Sequence, residues 1–413
     1  MADGPDRRTL RSFLVLWVFQ ALSLLGTKAV QFAIVCWIAR ETGSATVLAT
    51  AALFGIVPQV VLGPFAGALV DRWDRKRVML VADGATAAAS LVLASLFAVG
   101  LARVEFVYLA LLARSLGSTF HGPAMLVSTA LMVPPGHLTR IQGLNQSLEG
   151  GLLIVAAPLG GVLLASLSMT GILLVDVVTA ACAMAPLAVI RVPRPETGAT
   201  GAGIGFASVL GDVREGLRYL AARAGHVGLV AMGAVINMLL VPAFSLLPLL
   251  VLEELSGSAM QLAWMNSALG VGTIAGGLLL GIWGGFRRRI ATTLVGLLAF
   301  GLATLALALA PGVAIATAAM ACVGALIPLV NGPILAILQA TVAPEFQGRV
   351  FTLSGSLAGL TAPIGLIVAA PVAELAGVRA WYVAGAVACI LMAAAGSLAR
   401  PVLEIEPAMP DGA

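Results

Sequence analysis

Charge is what this chain has least of: 10% of its 413 residues are Asp, Glu, Lys or Arg, where soluble domains carry about a quarter. Hydrophobic residues make up 60%, and the mean hydropathy is +1.05. That balance excludes an ordinary water-soluble domain and demands a solvent that accepts apolar surface. The bilayer is such a solvent, and in it only helices and closed barrels satisfy their backbone hydrogen bonds. Barrel strands would alternate polar and apolar residues in segments of about ten. The apolar runs here extend for about twenty residues or more, so an all-α integral membrane protein is expected.

Histidine and cysteine are scarce as well. The three histidines are scattered without metal-ligand spacing, and Cys36, Cys182, Cys322 and Cys389 all lie inside apolar runs. This argues against a CxxC metal site and a disulfide framework, and makes the thiols small buried hydrophobes. HExxH, GxSxG and P-loop motifs are missing, which argues against those enzyme chemistries and against a pump driven directly by ATP. No cofactor, no metal and no enzymatic activity are expected. The first apolar run, about Phe13 to Ala39, is too long for a signal-peptide core and reads as the first span.

Eleven breaks divide the runs. Six fall at Arg40–Ser44, Asp71–Arg77, Gly100–Glu105, Pro134–Thr139, Ser168–Gly171 and Arg191–Gly225. The other five fall at Glu253–Ser258, Gly284–Arg289, Pro311–Gly312, Pro344–Arg349 and Glu374–Arg379. Twelve transmembrane helices follow. Basic residues gather in alternate loops, as in Arg72 to Arg77, Arg191 to Arg223 and Arg287 to Arg289, whereas the opposite side holds only Arg40, Arg103 and Arg379. Basic residues mark the cytoplasmic side, so both termini are expected there, in a multi-pass protein of the cell inner (plasma) membrane. The net charge of +4 is then largely a matter of topology, and no nucleic-acid partner is expected.

The chain divides at its longest polar stretch. Residues 1–195 are expected to form one six-helix bundle and 225–400 a second, with a cytoplasmic linker at 196–224 and a short tail at 401–413. Within the linker, Phe206, Leu210, Val213, Leu217 and Leu220 share one helical face. This predicts an amphipathic helix, either lying on the membrane surface or packed on the bundle.

The two bundles resemble each other in sequence. "TGSATVLATAALFG" (Thr42–Gly55) echoes "SGSAMQLAWMNSALG" (Ser256–Gly270), and "DRKR" (Asp74–Arg77) has a counterpart in "RRR" (Arg287–Arg289). "HGPAMLVSTALMVPP" parallels "NGPILAILQATVAPE", and "AAPLGG" (Ala156–Gly161) parallels "TAPIGL" (Thr361–Leu366). Four matches in one order imply two parallel six-helix repeats, an arrangement suited to a transporter that exposes a midplane site to each side in turn.

Six of the seven residues from Asp71 to Arg77 are charged. The spacing Gly67-x-x-x-Asp71-Arg72-x-Asp74-Arg75-Lys76 resembles the signature turn between helices two and three of the major facilitator superfamily, which has glycine where this chain has Asp74. The resemblance implies the major facilitator fold, with Gly67, Asp71, Arg72, Arg75 and Lys76 as a cytoplasmic gate that latches the two halves. Arg114 resembles the arginine of the family's fourth-helix motif. "GLLIVAAPLGG" resembles the fifth-helix motif of antiporters, with Ala157 in place of a usual glycine. "DRWDRKRVMLVADG" and "PEFQGRVFTLSGSL" are similar to the macrolide-efflux and enterobactin-exporter-like branch, of drug:proton antiporter type.

Five ionisable residues fall within predicted spans: Lys28, Asp83, Arg114, Glu149 and Asp176. Each would cost roughly 2.5–3.5 kcal/mol facing lipid, so they are expected to face the protein or a wet cavity. Arg114 and Glu149 lie about ten residues into helices four and five, roughly 15 Å deep, and pair on that reasoning. Protonation of Glu149 would then act as a switch, unless the pair is permanent. Asp83 is expected to serve the charged turn, and Asp176 to approach Lys28. Proton coupling is thus placed among Glu149, Arg114, Asp83 and Asp176. A polar stripe on helix one, with Gln20, Thr27 and Gln31, and another on helix five, with Asn145, suggest a substrate cavity to which Asn237 and Trp264 are added. Trp17, Phe32, Phe54, Phe120 and Phe244 are further aromatic candidates.

The expected function is a secondary active transporter that exports a hydrophobic or amphipathic small molecule (a drug, macrolide or siderophore-like compound) by alternating access in exchange for protons. Its expected partners are that small molecule, protons and membrane lipid, and a monomer is expected. A lysophospholipid or nutrient importer of the same fold, and a non-transporting membrane sensor, remain open alternatives.

Overall fold

The computed structural model describes residues 7–134, 137–190, 214, 217–342 and 344–406. Among these, twelve long helices and no strand are present. The first six are α1 (Arg7–Thr42), α2 (Ala45–Arg72), α3 (Arg75–Ala98), α4 (Val104–Met132), α5 (Leu138–Ser166) and α6 (Met169–Val189). The second six are α7 (Ala224–Leu249, prolonged by a π turn at Leu250–Glu254), α8 (Ala259–Trp283), α9 (Arg289–Ala308), α10 (Val313–Thr341), α11 (Pro344–Ala376) and α12 (Val378–Leu398). A single turn, α13 (Arg400–Leu403), follows. Eleven of the long helices contain stretches long and apolar enough to cross a membrane.

Most breaks fall where the sequence places them, and two are shorter. Proline lacks an N–H and its fixed φ suits the first helical position, so α11 begins at Pro344 itself and absorbs the expected break at 344–349. Between α11 and α12 a single residue, Gly377 at φ +84°, turns the chain. Local side chains finish other ends: Asp74 accepts from the Arg77 amide at the start of α3, and Ser258 and Gln261 form a reciprocal cap on α8. Such caps contribute about 1 kcal/mol each.

The chain forms two compact units, Met1–Thr42 with Thr50–Gly203, and Gly43–Ala49 with Ile204–Ala413. Within the first, α1 packs on α5 and α6, and α3 packs on α4 and α6. Within the second, α7 packs on α11 and α12, and α9 on α10 and α12. The second set is the first shifted by six helices, the structural form of the sequence repeat. "AAPLGG" and "TAPIGL" do the same work in each. A side chain at Gly160 of α5 would strike the Ala29 carbonyl of α1, and one at its counterpart Gly365 of α11 would strike the Met238 carbonyl of α7. Small residues let membrane helices approach closely enough for dispersion contacts to hold them.

The expected linker lies largely outside the described residues. Leu220, near its end, is buried in the core of the second unit, with Tyr219 against it. The described part of the tail, 401–406, is docked: Val402 is buried, and Glu406 accepts from the Ile290 amide at the start of α9 (3.2 Å) with Arg289 beside it (3.9 Å). An acid is thereby supplied to the "RRR" turn, whose own sequence has none. Of the cysteines, Cys36 and Cys389 are buried as expected, whereas Cys322 is exposed, and all four are free thiols.

Candidate functional site

The first unit holds a cavity of about 460 Å³ between α1, α3, α4 and α5, with one α6 residue, Ala180, in its wall. Its apolar lining includes Trp17, Leu24, Met125, Leu126 and Leu148. Its polar lining comprises Gln20, Ser23, Thr27, Asp83, Thr86, Arg114, Ser118, His121, Thr129, Asn145 and Glu149. The helical repeat explains much of the arrangement: Gln20, Ser23 and Thr27 recur at intervals of three and four on α1, and Asn145 and Glu149 at four on α5, so each set shares one face.

Three polar clusters organise these walls. Trp17 Nε1 donates to Asn145 Oδ1 at 2.7 Å, tying α1 to α5. Gln20 Nε2 donates to Asp83 Oδ2 at 3.0 Å, and His121 Nε2 lies 3.3 Å from Asp83 Oδ1, so α1, α3 and α4 meet at one carboxylate. The third cluster closes the back of the cavity. Arg114 Nη1 binds Asp176 Oδ2, and Ser90 Oγ donates to that same oxygen at 2.6 Å. Thr27 Oγ1 donates to Asp176 Oδ1 at 3.0 Å, and Arg114 Nη2 reaches the Thr27 carbonyl at 3.2 Å.

This geometry corrects three expectations. Arg114 pairs with Asp176 and not with Glu149; equal depth on neighbouring helices does not fix the direction a side chain takes around the helix, and Arg114 turns toward α6. Lys28 is exposed and Asp176 is fully buried with Arg114, so the expected approach of Lys28 to Asp176 is replaced. Asp83 faces the cavity instead of serving the charged turn. Glu149 is exposed in the cavity wall, with no hydrogen bond or ion pair among the described residues. Arg114 and Asp176 are paired with each other, which leaves Asp83 and Glu149 as the acids that face the cavity.

The other expected residues are dispersed. Gln31 is partly buried on α1 but is not in the wall of this cavity. Asn237 and Trp264 belong to the second unit, where the Asn237 amide bonds back to the Gly233 carbonyl at 3.0 Å and Trp264 is exposed. In the charged turn, the surroundings of Gly67 and the side chains of Asp71 and Arg72 lie outside what the structure describes. Arg75 is buried. Lys76 Nζ donates to the carbonyls of Ala188 (2.6 Å) and Ile190 (3.0 Å), where its charge suits the C-terminal end of α6.

His121 joins the cavity wall beside Asp83, although the spacing of the three histidines in the sequence speaks only to metal binding. Its signal was its position seven residues after Arg114, two turns further along the same face of α4. Among the described residues no cluster suited to a metal ion occurs.

Comparison with known proteins gives this architecture a family context. The model of the Major Facilitator Superfamily matches residues 16–251. Macrolide efflux protein A of Streptococcus pyogenes is 33% identical over 372 residues, covering 90% of this chain and 91% of that protein. Multidrug efflux pump Tap of Mycolicibacterium fortuitum is 29% identical over 399 residues, covering 93% and 95%. Among solved structures, a bacterial homologue of the human lysosomal transporter Spinster superposes with a TM-score of 0.69 at 15% identity, covering 95% of this chain and 96% of that one. A bacterial homologue of the iron transporter ferroportin gives 0.69 at 16% identity, covering 94% and 98%. These two likenesses concern the fold.

Proposed function

The chain belongs to the major facilitator superfamily, a family of membrane transporters and not of enzymes, and on that footing we propose that it exports a hydrophobic or amphipathic small molecule in exchange for protons. Macrolides and other drugs are the first candidates, from the names of its relatives. The observation that carries the reading is the cavity of the first unit: largely apolar walls around two carboxylates, Asp83 and Glu149, that face its interior. Apolar walls suit an organic substrate, and acids within a membrane span are costly unless they serve transport or pairing.

In this scheme Asp83 and Glu149 share the exchange, one at the site of the proton and the other receiving a cationic substrate. Arg114 and Asp176 support it from behind by fixing α4 against α6 and α1, since their bonding leaves neither group idle. Trp17, Gln20, Thr27 and Asn145 line the substrate path in the first unit, and Gln31, Asn237 and Trp264 are proposed as further substrate residues. The turn carrying Gly67, Asp71, Arg72, Arg75 and Lys76 is the proposed cytoplasmic gate of an alternating-access cycle. Both termini are placed in the cytoplasm, and the working unit is a monomer in the plasma membrane.

The test is uptake of radiolabelled erythromycin or ethidium into inside-out vesicles carrying the protein, driven by an imposed proton gradient. Accumulation above control vesicles, abolished by a protonophore, is the expected result. Wild-type vesicles that accumulate neither probe would overturn the exporter reading for both compound classes.

A further inference from the structure

We propose that the coupling proton is held by His121 together with Asp83, with Gln20 as the positioning residue. This inference rests on the exporter reading and goes beyond it by assigning the proton to one pair of side chains. Three observations converge. Asp83 receives the Gln20 amide on Oδ2 and presents Oδ1 to His121 Nε2 at 3.3 Å. That nitrogen is shielded from solvent and makes no aligned hydrogen bond. The two side chains nevertheless remain in reach of the cavity, at 22% and 14% exposure.

The chemistry follows from these contacts. A ring nitrogen without a hydrogen bond and out of contact with water is unfavourable, and adding a proton turns the contact into a charge-assisted pair with the carboxylate. The Gln20 amide can only donate through Nε2, which suits an ionised Asp83, so the proton of the loaded pair sits on the imidazole. Loaded, the pair is an imidazolium beside a carboxylate, with no net charge. When Nε2 passes its proton to Asp83 Oδ1 and the carboxylate releases it to the cavity, a neutral imidazole and one negative charge remain, and one proton has moved. Among side-chain types in the cavity, imidazole is the one that ordinarily changes charge between about pH 5 and 8, the range in which cellular proton gradients operate.

The charged surroundings of His121 fit this role. On its own helix Arg114 lies two turns away and is neutralised by Asp176 of α6. From α3 it meets Asp83, with Arg75 buried eight residues earlier on that helix. From α5 Glu149 faces the same cavity, α1 contributes the uncharged Gln20, and α2 contributes no charged group to this cavity among the described residues.

The experiment uses purified protein in proteoliposomes, with radiolabelled erythromycin as probe, and compares wild type, His121→Gln, Asp83→Asn and Gln20→Leu. Counterflow without a proton gradient reports a folded, substrate-binding transporter, whereas accumulation driven by a gradient reports coupling. H121Q is expected to keep counterflow within about twofold and to lose driven accumulation by about tenfold or more, the scale of a lost proton-transfer group. Wild-type counterflow is expected to change with pH around a midpoint between about 5 and 8, and that dependence is expected to vanish in H121Q and D83N. Q20L is expected to retain coupling with a displaced midpoint. H121Q that accumulates the probe like wild type overturns the inference and leaves the exporter standing. So does an H121Q that folds, by its elution profile, but loses counterflow together with accumulation, which would make His121 part of the substrate path. Wild type that accumulates nothing removes the exporter reading and this inference with it.

Discussion

Arg114 of α4 and Asp176 of α6 form a buried ion pair in which both oxygens of the carboxylate are further bonded, Oδ1 by Thr27 and Oδ2 by Ser90. The pair therefore holds four helices, α1, α3, α4 and α6, at one level. With exposures of 6% and 0%, neither charge has water to fall back on. Removing one partner of a buried pair typically costs about 3–5 kcal/mol, whereas replacing both with apolar groups is far milder. Asp176→Asn is expected to lower the thermal midpoint of the purified protein sharply. Arg114→Leu combined with Asp176→Leu is expected to be more stable than either single variant. A D176N protein as stable as wild type would show that the pair does not hold the bundle.

Glu149 is the opposite case, an acid that nothing in the described structure engages. Its substitution has no folded-state contact to break, so Glu149→Gln is expected to leave the thermal midpoint within about the half kcal/mol typical of changes away from packed or bonded features. In vesicles the same variant is expected to raise the KM for a cationic probe about tenfold, the effect of about 1.4 kcal/mol of lost charge attraction. Transport of an uncharged probe is expected to change little. Equal effects on both probes would show that the carboxylate does not distinguish charge.

These two residues also show what the sequence makes legible. Long apolar runs and their charged or glycine-rich breaks gave the twelve helices, because span length is dictated by the bilayer. Repeated motifs gave the two sixes, and the same helix pairings recur in both. Direction around each helix was not legible: Arg114 and Glu149 both lie on the cavity wall, but tertiary packing turns one to Asp176 and leaves the other facing the cavity. The partnership of Asp83 with His121 was hidden for the same reason, as it joins residues on separate helices whose rotation no periodicity specifies. The acid at the start of α9 was hidden because it arrives from Glu406, more than a hundred residues away in sequence.

The repeated glycines allow a matched pair of tests. Gly160 and Gly365 occupy equivalent places, each against the backbone of the first helix of its unit. A valine at either site must push that helix away, and overpacking of this kind costs about 1–3 kcal/mol. Gly160→Val and Gly365→Val are both expected to lower the thermal midpoint, and by similar amounts. A neutral result at one site alone would mean that the repeat has diverged in packing although its sequence has not.

Asp74 and Glu406 serve the first helical turn after the second helix of each six, but by different routes. Asp74 is local and accepts from the Arg77 amide at 3.3 Å, whereas Glu406 reaches the Ile290 amide from the far end of the chain. Both place a carboxylate at a helix N-terminus, where unpaired amides and the helix dipole favour it. Asp74→Ala and Glu406→Ala are each expected to cost about 1 kcal/mol, read as a fall in thermal midpoint. Loss at Glu406 carries a second consequence, because the same side chain fastens the tail. Limited proteolysis is expected to cleave E406A after Leu403 faster than wild type, and D74A at the wild-type rate. Equal cleavage of all three proteins would show that Val402 and its neighbours hold the tail without the carboxylate.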